Sequence, residues 1–287
     1  MRHADVSVAE RLSSDTLRRL LATTLPADWP APAARDEATA AAWQRRCHHL
    51  IDSDRPGCWV AEGAGGIVGI ATSLRRETWW GLSSLFVDAE VQGRGVGTQL
   101  LQAALTHSQG AVRGLIVSTH DPRAVRRYHA AGFTIHPVMF GYGHVDRALL
   151  PVVEHVRDGS SGDFDLCDSV DRLTRGAGHG IDHAVMLEQH PLVVVDDTTG
   201  SGYCYLNPAG GPYSLAATNR RTAQRLLWES PASSDPDRPI QVRNLTGEQD
   251  WAVDVIMAAR LELRSRGYLA YRFMKPAVPY LPGPHFM

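Results

Sequence analysis

Lysine is nearly missing from this chain. Of 29 basic residues only Lys275 is lysine, and arginine supplies the rest. An excess of either charge is lacking too: 31 acids bring the net charge to -2, and the arginines are dispersed, so no nucleic-acid partner is expected. Cysteine is sparse, and Cys47, Cys58, Cys167 and Cys204 stand without metal or redox spacing, which reads as reduced structural thiols. No run approaches the ~20 apolar residues of a membrane span, and residues 1–5 lack the apolar core of a signal peptide. No membrane is expected as a partner, and the expected compartment is cytoplasmic. What remains is an ordinary globular composition, 44% hydrophobic over 287 residues. That length exceeds one domain of about 150 residues and predicts two.

The chain is organised around residues 85–105. Leu85, Phe86 and Val87 end a strand-like run, and Gln92-Gly93-Arg94-Gly95-Val96-Gly97 leads into an apolar-periodic helix through Leu100, Leu101, Ala104 and Leu105. Alternate glycines at such a junction let backbone N–H groups close around an anion at the positive end of the helix dipole, and the obvious anion is a phosphate. A P-loop is excluded because the helix opens Gly97-Thr98-Gln99 and no lysine follows. A dinucleotide fingerprint is excluded because Leu100 stands where its third glycine belongs. The plain alternative is a glycine-rich turn that only joins strand to helix.

A second motif lies downstream. After the strand Gly114 to Ser118, Asp121 suits a helix N-cap, Pro122 the first helical position and Gly132 the position past the end. The bracketed helix carries Tyr128-x-x-x-Gly132-Phe133. Gln-x-x-Gly-x-Gly after a strand, followed by Tyr-x-x-x-Gly-Phe, resembles the two hallmarks of the GCN5-related N-acetyltransferase (GNAT) family. The resemblance implies an α/β (α+β) fold of mixed, mostly antiparallel sheet flanked by helices. It also implies acetyl-CoA as co-substrate, with no metal, and a small-molecule or protein primary amine as acceptor. A homodimer stays open as a further partner. The rival reading is a non-catalytic acyl-CoA-binding sensor or interaction protein, and Tyr128 favours the enzyme, because a pure binder needs no leaving-group acid.

On that resemblance, the backbones of Leu85, Phe86 and Val87 pair with the pantetheine arm, while Gln92, Gly93, Arg94, Gly95, Val96, Gly97 and Thr98 hold the pyrophosphate. Tyr128 faces the thioester sulfur and protonates the leaving thiolate. Relatives place an asparagine where this chain has Asp121, whose charge suits an N-cap better than a cofactor contact. For the base, relatives use a glutamate on the strand entering the loop, but no carboxylate lies between Trp79 and Val87. His120 ranks first, since imidazole titrates near neutral pH, and Glu77 next. Both have a plain reading as surface loop residues.

In chain order, a first strand is expected near Val6-Ser7-Val8, then a helix capped by Ser14 or Asp15, a break at residues 26–32 that includes Trp29, and a second helix over 36–51. A hairpin comes next at 58–62 and 67–74, then the strand 79–87. Beyond Phe133, strands are expected at 134–136 and 138–140. The adjacent His48 and His49 diverge on a helix and do not share a metal. The second half, 151–287, reads as a degenerate GNAT-like copy of 1–150. Residues 192–206 repeat the hairpin, and Leu226-Leu227 parallels Leu100-Leu101. In that register Thr218, Arg221 and Ala223 replace Gln92, Gly95 and Gly97, so the copy has no cofactor loop. Its next strand is expected at 240–244 and its next helix over 251–263, with Gly267-Tyr268 answering Gly132-Phe133.

Overall fold

The computed structural model describes residues 1–25, 31–208 and 210–287, so Trp29 and most of the 26–32 break lie outside the described residues. Helix α1 (Val6–Thr24) occupies the place where a first strand and a capped helix were expected. Val6, Ala9 and Ser13 share a buried helical face, a period that a Val-Ser-Val run is too short to oppose. Ser14 and Asp15 are therefore mid-helix. Helix α2 (Glu37–Ser53) is capped by Asp36, which accepts the Thr39 N–H at 2.7 Å.

Strands β1 (Cys58–Gly63), β2 (Gly66–Arg76) and β3 (Trp79–Val87) then form an antiparallel meander. Helix α3 (Val96–Thr106) crosses over to β4 (Arg113–Ser118), and α4 (Pro122–Ala130) leads to β5 (Thr134–Gly143). β5 is one strand, not two. It runs through Pro137, opposite a register shift in its neighbour between Ser265 and Tyr268, where a missing N–H is tolerated.

The second half comprises β6 (Arg157–Asp158), α5 (Phe164–Thr174), α6 (Asp182–Gln189), β7 (Leu192–Asp197), β8 (Gly200–Leu206), β9 (Pro212–Ala217) and α7 (Arg220–Ala232), then β10 (Ile240–Leu245), α8 (Asp250–Ala258), β11 (Glu262–Arg272) and β12 (Tyr280–Leu281). The helix expected over 251–263 stops at Ala258, because the chain turns at Arg260, whose φ is +56°. Beyond this turn the residues alternate as in a strand: Leu269 and Tyr271 pack into one core and Ala270 into another. Gly267 therefore sits in a strand and does not answer Gly132.

The two sheets do not coincide with the two halves. A seven-stranded sheet has the order β1-β2-β3-β4-β11-β5-β10, and a five-stranded sheet the order β12-β9-β8-β7-β6. β11 lies between β4 and β5, and β5 is flanked by β11 and β10. Strands from beyond residue 239 thus complete the first half's sheet, so each half does not close its own sheet as two independent copies would.

The faces of the large sheet follow from alternation. Trp79 points to the side where Val6, Ala9, Trp43, Cys47 and Leu50 of α1 and α2 pack. Trp80 points to the other, with Leu100, Leu101 and Ala104 of α3. The first of these cores continues through Val170, Met186, Tyr203 and Tyr205, so the halves share it. A buried ion-pair cluster also crosses between them: Asp182 accepts from Arg76 Nε at 2.8 Å and lies 2.7 Å from His49 Nε2. All four cysteines are buried and unpaired, and burial pushes the Cys47 and Cys58 thiols up to about 11 and about 12. No helix among the described residues is long and apolar enough to cross a membrane.

Candidate active site

β3 and β4 pair in parallel only from Trp79 opposite Arg113 to Leu82 opposite Ile116. Beyond that point residues 83–87 and 117–118 part. A β-bulge marks the spot: Ser73 opposes Leu82 and Thr72 opposes Ser84, which leaves Ser83 as the extra residue. A cavity of about 690 Å³ opens at this notch, lined by residues 82–87, most of the glycine loop, Val117, Ser118 and Tyr128.

The glycine loop has the geometry its sequence requires. Gly93 and Gly95 have φ of +82° and +86°, and a Cβ on either would meet nothing within 4 Å. Their backbone needs glycine, and the space above them is open. Gly95 caps α3, and the Thr98 and Gln99 N–H groups return to its carbonyl. The earlier N–H groups have no acceptor within the helix and lie at its positive end, a ready anion site. Gln92 fastens the loop to the strand by donating from Nε2 to the Val87 carbonyl at 2.8 Å. Thr98 lines the cavity, whereas Arg94 is exposed and does not.

Arg127 is a site residue that the sequence reading missed. A Cβ on Gly97 would lie 2.9 Å from its guanidinium, so Gly97 leaves room for Arg127 to lie against the start of α3. The Arg127 Nε is buried without a hydrogen-bond partner. The available signal was spacing, since Arg123 and Arg127 stand four apart on α4 and both line the cavity. Asp121 caps α4 by accepting the Arg123 N–H at 2.9 Å, and its carboxylate meets the Arg123 guanidinium at 3.0 and 3.1 Å. It lines the cavity with its charge already matched.

Tyr128 is buried on the cavity wall, and burial pushes its phenol up to about 12. At neutral pH it holds its proton. The two expected bases fall elsewhere. Glu77 sits in the β2–β3 turn and accepts from Arg172 Nε at 2.7 Å. Residues 78–82 lie between it and the notch at Ser83, ~20 Å at the rise of an extended strand. His120 is adjacent to the cavity but does not line it: its Nε2 accepts the Gly267 N–H at 2.7 Å, and its ring packs edge-on against Tyr268. Burial, then Arg266, lowers its pKa. Its lone pair is occupied.

A different histidine lines the cavity. His285 lies beside the bulged Ser83, with Nδ1 3.4 Å from the Ser83 carbonyl. Burial, followed by the charge of Arg46, holds its pKa well below the ordinary histidine range, so the ring is neutral at pH 7. Its segment is held in place by Asn244, whose Nδ2 donates to the Pro282 carbonyl at 2.9 Å, and by Arg175, which donates to the Met287 carbonyl. Nothing local in the sequence signals this role, because the partners are 202 positions apart. The Oγ atoms of Ser83 and Ser84 are buried on the same wall without partners. A ligand that offers hydrogen bonds would satisfy them.

A second concentration of ionisable groups, Asp171, His179 and His183, is buried in the core of the other half. Its atoms are largely engaged with one another: Asp171 lies 2.6 Å from His179 Nδ1 and accepts from the Tyr203 hydroxyl at 2.6 Å. His183 meets Tyr205 at 2.9 Å and Asp168 at 3.1 Å.

Comparison with known proteins bears on the same region. Residues 15–133 match the model of the acetyltransferase (GNAT) family, a span that contains the notch, the loop and Tyr128. No curated protein matches the sequence. A Pyrococcus horikoshii protein provisionally assigned as an acetyltransferase superposes with a TM-score of 0.71 at 13% identity, over 96% of this chain and 88% of its own. A GCN5-related N-acetyltransferase from Sphaerobacter thermophilus gives 0.56 at 15% identity over 97% and 95%. One from Kribbella flavida gives 0.57 at 14% over 94% and 69%. At such identities these likenesses establish the fold, and they extend over both halves. The match to the acetyltransferase (GNAT) family model is confined to residues 15–133, and over the rest of the chain the likeness shows the fold alone.

Proposed function

We propose that the chain is an acetyl-CoA-dependent N-acetyltransferase that transfers the acetyl group to a primary amine by direct attack in a ternary complex. One observation carries the reading: the parted strands, the glycine loop with its helix N-terminus, and the proton-bearing Tyr128 all face one cavity. The residues fit the co-substrate. The strand edge at residues 85–87 offers backbone groups to the pantetheine amides, and the glycine loop with Arg127 offers donors and charge to the diphosphate. When bound, acetyl-CoA supplies an activated acyl group. Tyr128, kept protonated by burial, donates to the sulfur as negative charge develops there.

In this reading His285 is the base. Hydrogen-bonded through Nδ1 to the Ser83 carbonyl, it turns a neutral Nε2 to the acceptor's ammonium proton. Its lowered pKa sets the sign of the pH dependence. The ring is already deprotonated at pH 7, so the acid limb of the rate profile lies below 6.5. A limb at or above 6.5 would exclude His285. The His285→Gln variant is expected to lose at least about 10²-fold in kcat, the usual scale of general acid–base catalysis.

Tyr128→Phe keeps the ring and removes the donor. It should lower kcat by about 10²-fold with little change in acetyl-CoA affinity, checked by steady-state kinetics beside calorimetric titration. Full activity would mean that a water protonates the thiolate and that Tyr128 only packs.

A further inference from the structure

The buried cluster in the second half has a donor set and a spacing of its own. Asp168 and Asp171 stand three apart on α5 and share a face. His179 lies in the loop that follows, and His183 in the first turn of α6. One donor atom from each of Asp171, His179 and His183 lies within 4.8 Å of the other two, and all three side chains are fully buried. Asp171 Oδ2 is 2.6 Å from His179 Nδ1 and 3.8 Å from His183 Nε2. Both separations lie within about 0.7 Å of the edge, about 3.3 Å, of a tetrahedron built on metal–ligand bonds of about 2.0–2.1 Å. Asp168, partly exposed, flanks the group with Oδ1 3.1 Å from His183 Nε2.

Asp171 is a carboxylate in the core, and among the described residues no arginine or lysine lies within ion-pair reach of it. Arg175, one helical turn on, donates instead to the Ala177, Gly178 and Met287 carbonyls and lies over the Trp79 ring at 4.3 Å. A buried charge is paired or coordinates a metal. The surroundings suit the second case. Tyr203 donates to Asp171 Oδ1 at 2.6 Å, and the Tyr205 hydroxyl lies 2.9 Å from His183 Nδ1. Such outer partners orient a ligating carboxylate and a ligating imidazole. His179 Nε2 is buried without a partner, so no outside contact opposes moving that ring's proton from Nδ1 to Nε2.

We infer that Asp171 Oδ2, His179 Nδ1 and His183 Nε2 bind a divalent transition-metal ion of the zinc class, with Asp168 beside the fourth position. Binding conserves protons: each neutral ring moves its N–H to the nitrogen facing away from the ion, His179 to Nε2 and His183 to Nδ1, where Tyr205 accepts it. Imidazole donors select Zn²⁺ over Mg²⁺ and Ca²⁺, which take oxygen ligands. None of these residues lines the cavity at the notch. The ion is structural and stands apart from the proposed acetyl transfer. It ties α5 to α6, whose Asp182 meets Arg76 and His49 of the first half, and so braces the seam between the halves.

The test strips purified full-length protein with a chelator, confirms its fold by a cooperative melt, and titrates it with ZnCl2 by calorimetry. The expected result is one ion per chain, with a rise in thermal midpoint of about 5 °C or more at a 100-fold excess over the dissociation constant. CoCl2 should give visible bands of low-coordinate cobalt without a thiolate charge-transfer band, which separates this site from the cysteines. Asp171→Asn keeps the shape and the Tyr203 contact, and His183→Gln removes a ring donor. Each should weaken Zn²⁺ binding at least about 100-fold, and Asp168→Asn about 10-fold. Should the two buried variants not fold, the wild-type cobalt spectrum and Asp168→Asn, at the partly exposed edge, decide the matter. Folded, stripped protein that takes up no Zn²⁺ would overturn the inference, as would undiminished binding in the folded variants or equally tight binding of Ca²⁺. A thiolate cobalt spectrum, or binding lost in His48→Gln instead, would move the ion to the cysteines or to the His3–His48 pair on the surface and would equally end the proposal.

Discussion

A chain cut after residue 150 is expected not to fold. β5 finds its hydrogen-bonding neighbours in β11 and β10, both from beyond residue 239, and β4 loses β11 as well. The fragment would leave a ten-residue strand without sheet partners, and each unpaired buried amide or carbonyl costs about 1–3 kcal/mol. It would also strip Leu269, Ala270 and Tyr271 from two cores. Together these losses exceed the roughly 5–15 kcal/mol by which a domain is stable. Circular dichroism and gel filtration of residues 1–150 should show an unfolded or aggregated product. A monomeric, cooperatively melting fragment that binds CoA would show that β10 and β11 are dispensable and that the large sheet is not one unit.

Gly95→Glu in the full chain is expected to abolish acetyl-CoA binding while the protein stays folded. The site is open, with no atom within 4 Å of a built Cβ, so the fold can accommodate the side chain. Two penalties then act against the ligand. The left-handed φ of +86° costs a residue with a Cβ about 1–2 kcal/mol, which shifts the loop away from its binding shape. A carboxylate some 4 Å from the diphosphate adds repulsion of about 4 kcal/mol at an effective dielectric of 20. The latter alone is about 10³-fold in affinity. Gly95→Ala carries only the backbone penalty and separates the two effects. An unchanged dissociation constant in folded Gly95→Glu would move the diphosphate to another place.

Local order was legible and long-range order was not. The strand into the loop, the loop and the capped helix at Asp121 lie where period and capping residues place them, because each is decided by neighbours within about four positions. Val6 misled because a short β-branched run also fits the first turn of a helix. The stretch after Ala258 misled because Leu261 and Leu263 continue the apolar run past Arg260, whose positive φ ends the helix and is signalled by no composition rule. The insertion of β11 between β4 and β5 follows from which edges remain unpaired in three dimensions, a property that neither half expresses alone. The same limit hid His285 and Arg243, whose places in the cavity depend on strands and a terminal segment folded back across the molecule.

The central claim, that this cavity performs acetyl transfer to an amine, is tested most directly by following thiol release from acetyl-CoA with purified full-length protein across a panel of primary amines. The account predicts amine-dependent release, equimolar with N-acetylated product, that falls about 10²-fold in Tyr128→Phe. One-to-one acetyl-CoA binding without release for any amine would contradict it and make the chain an acyl-CoA-binding sensor.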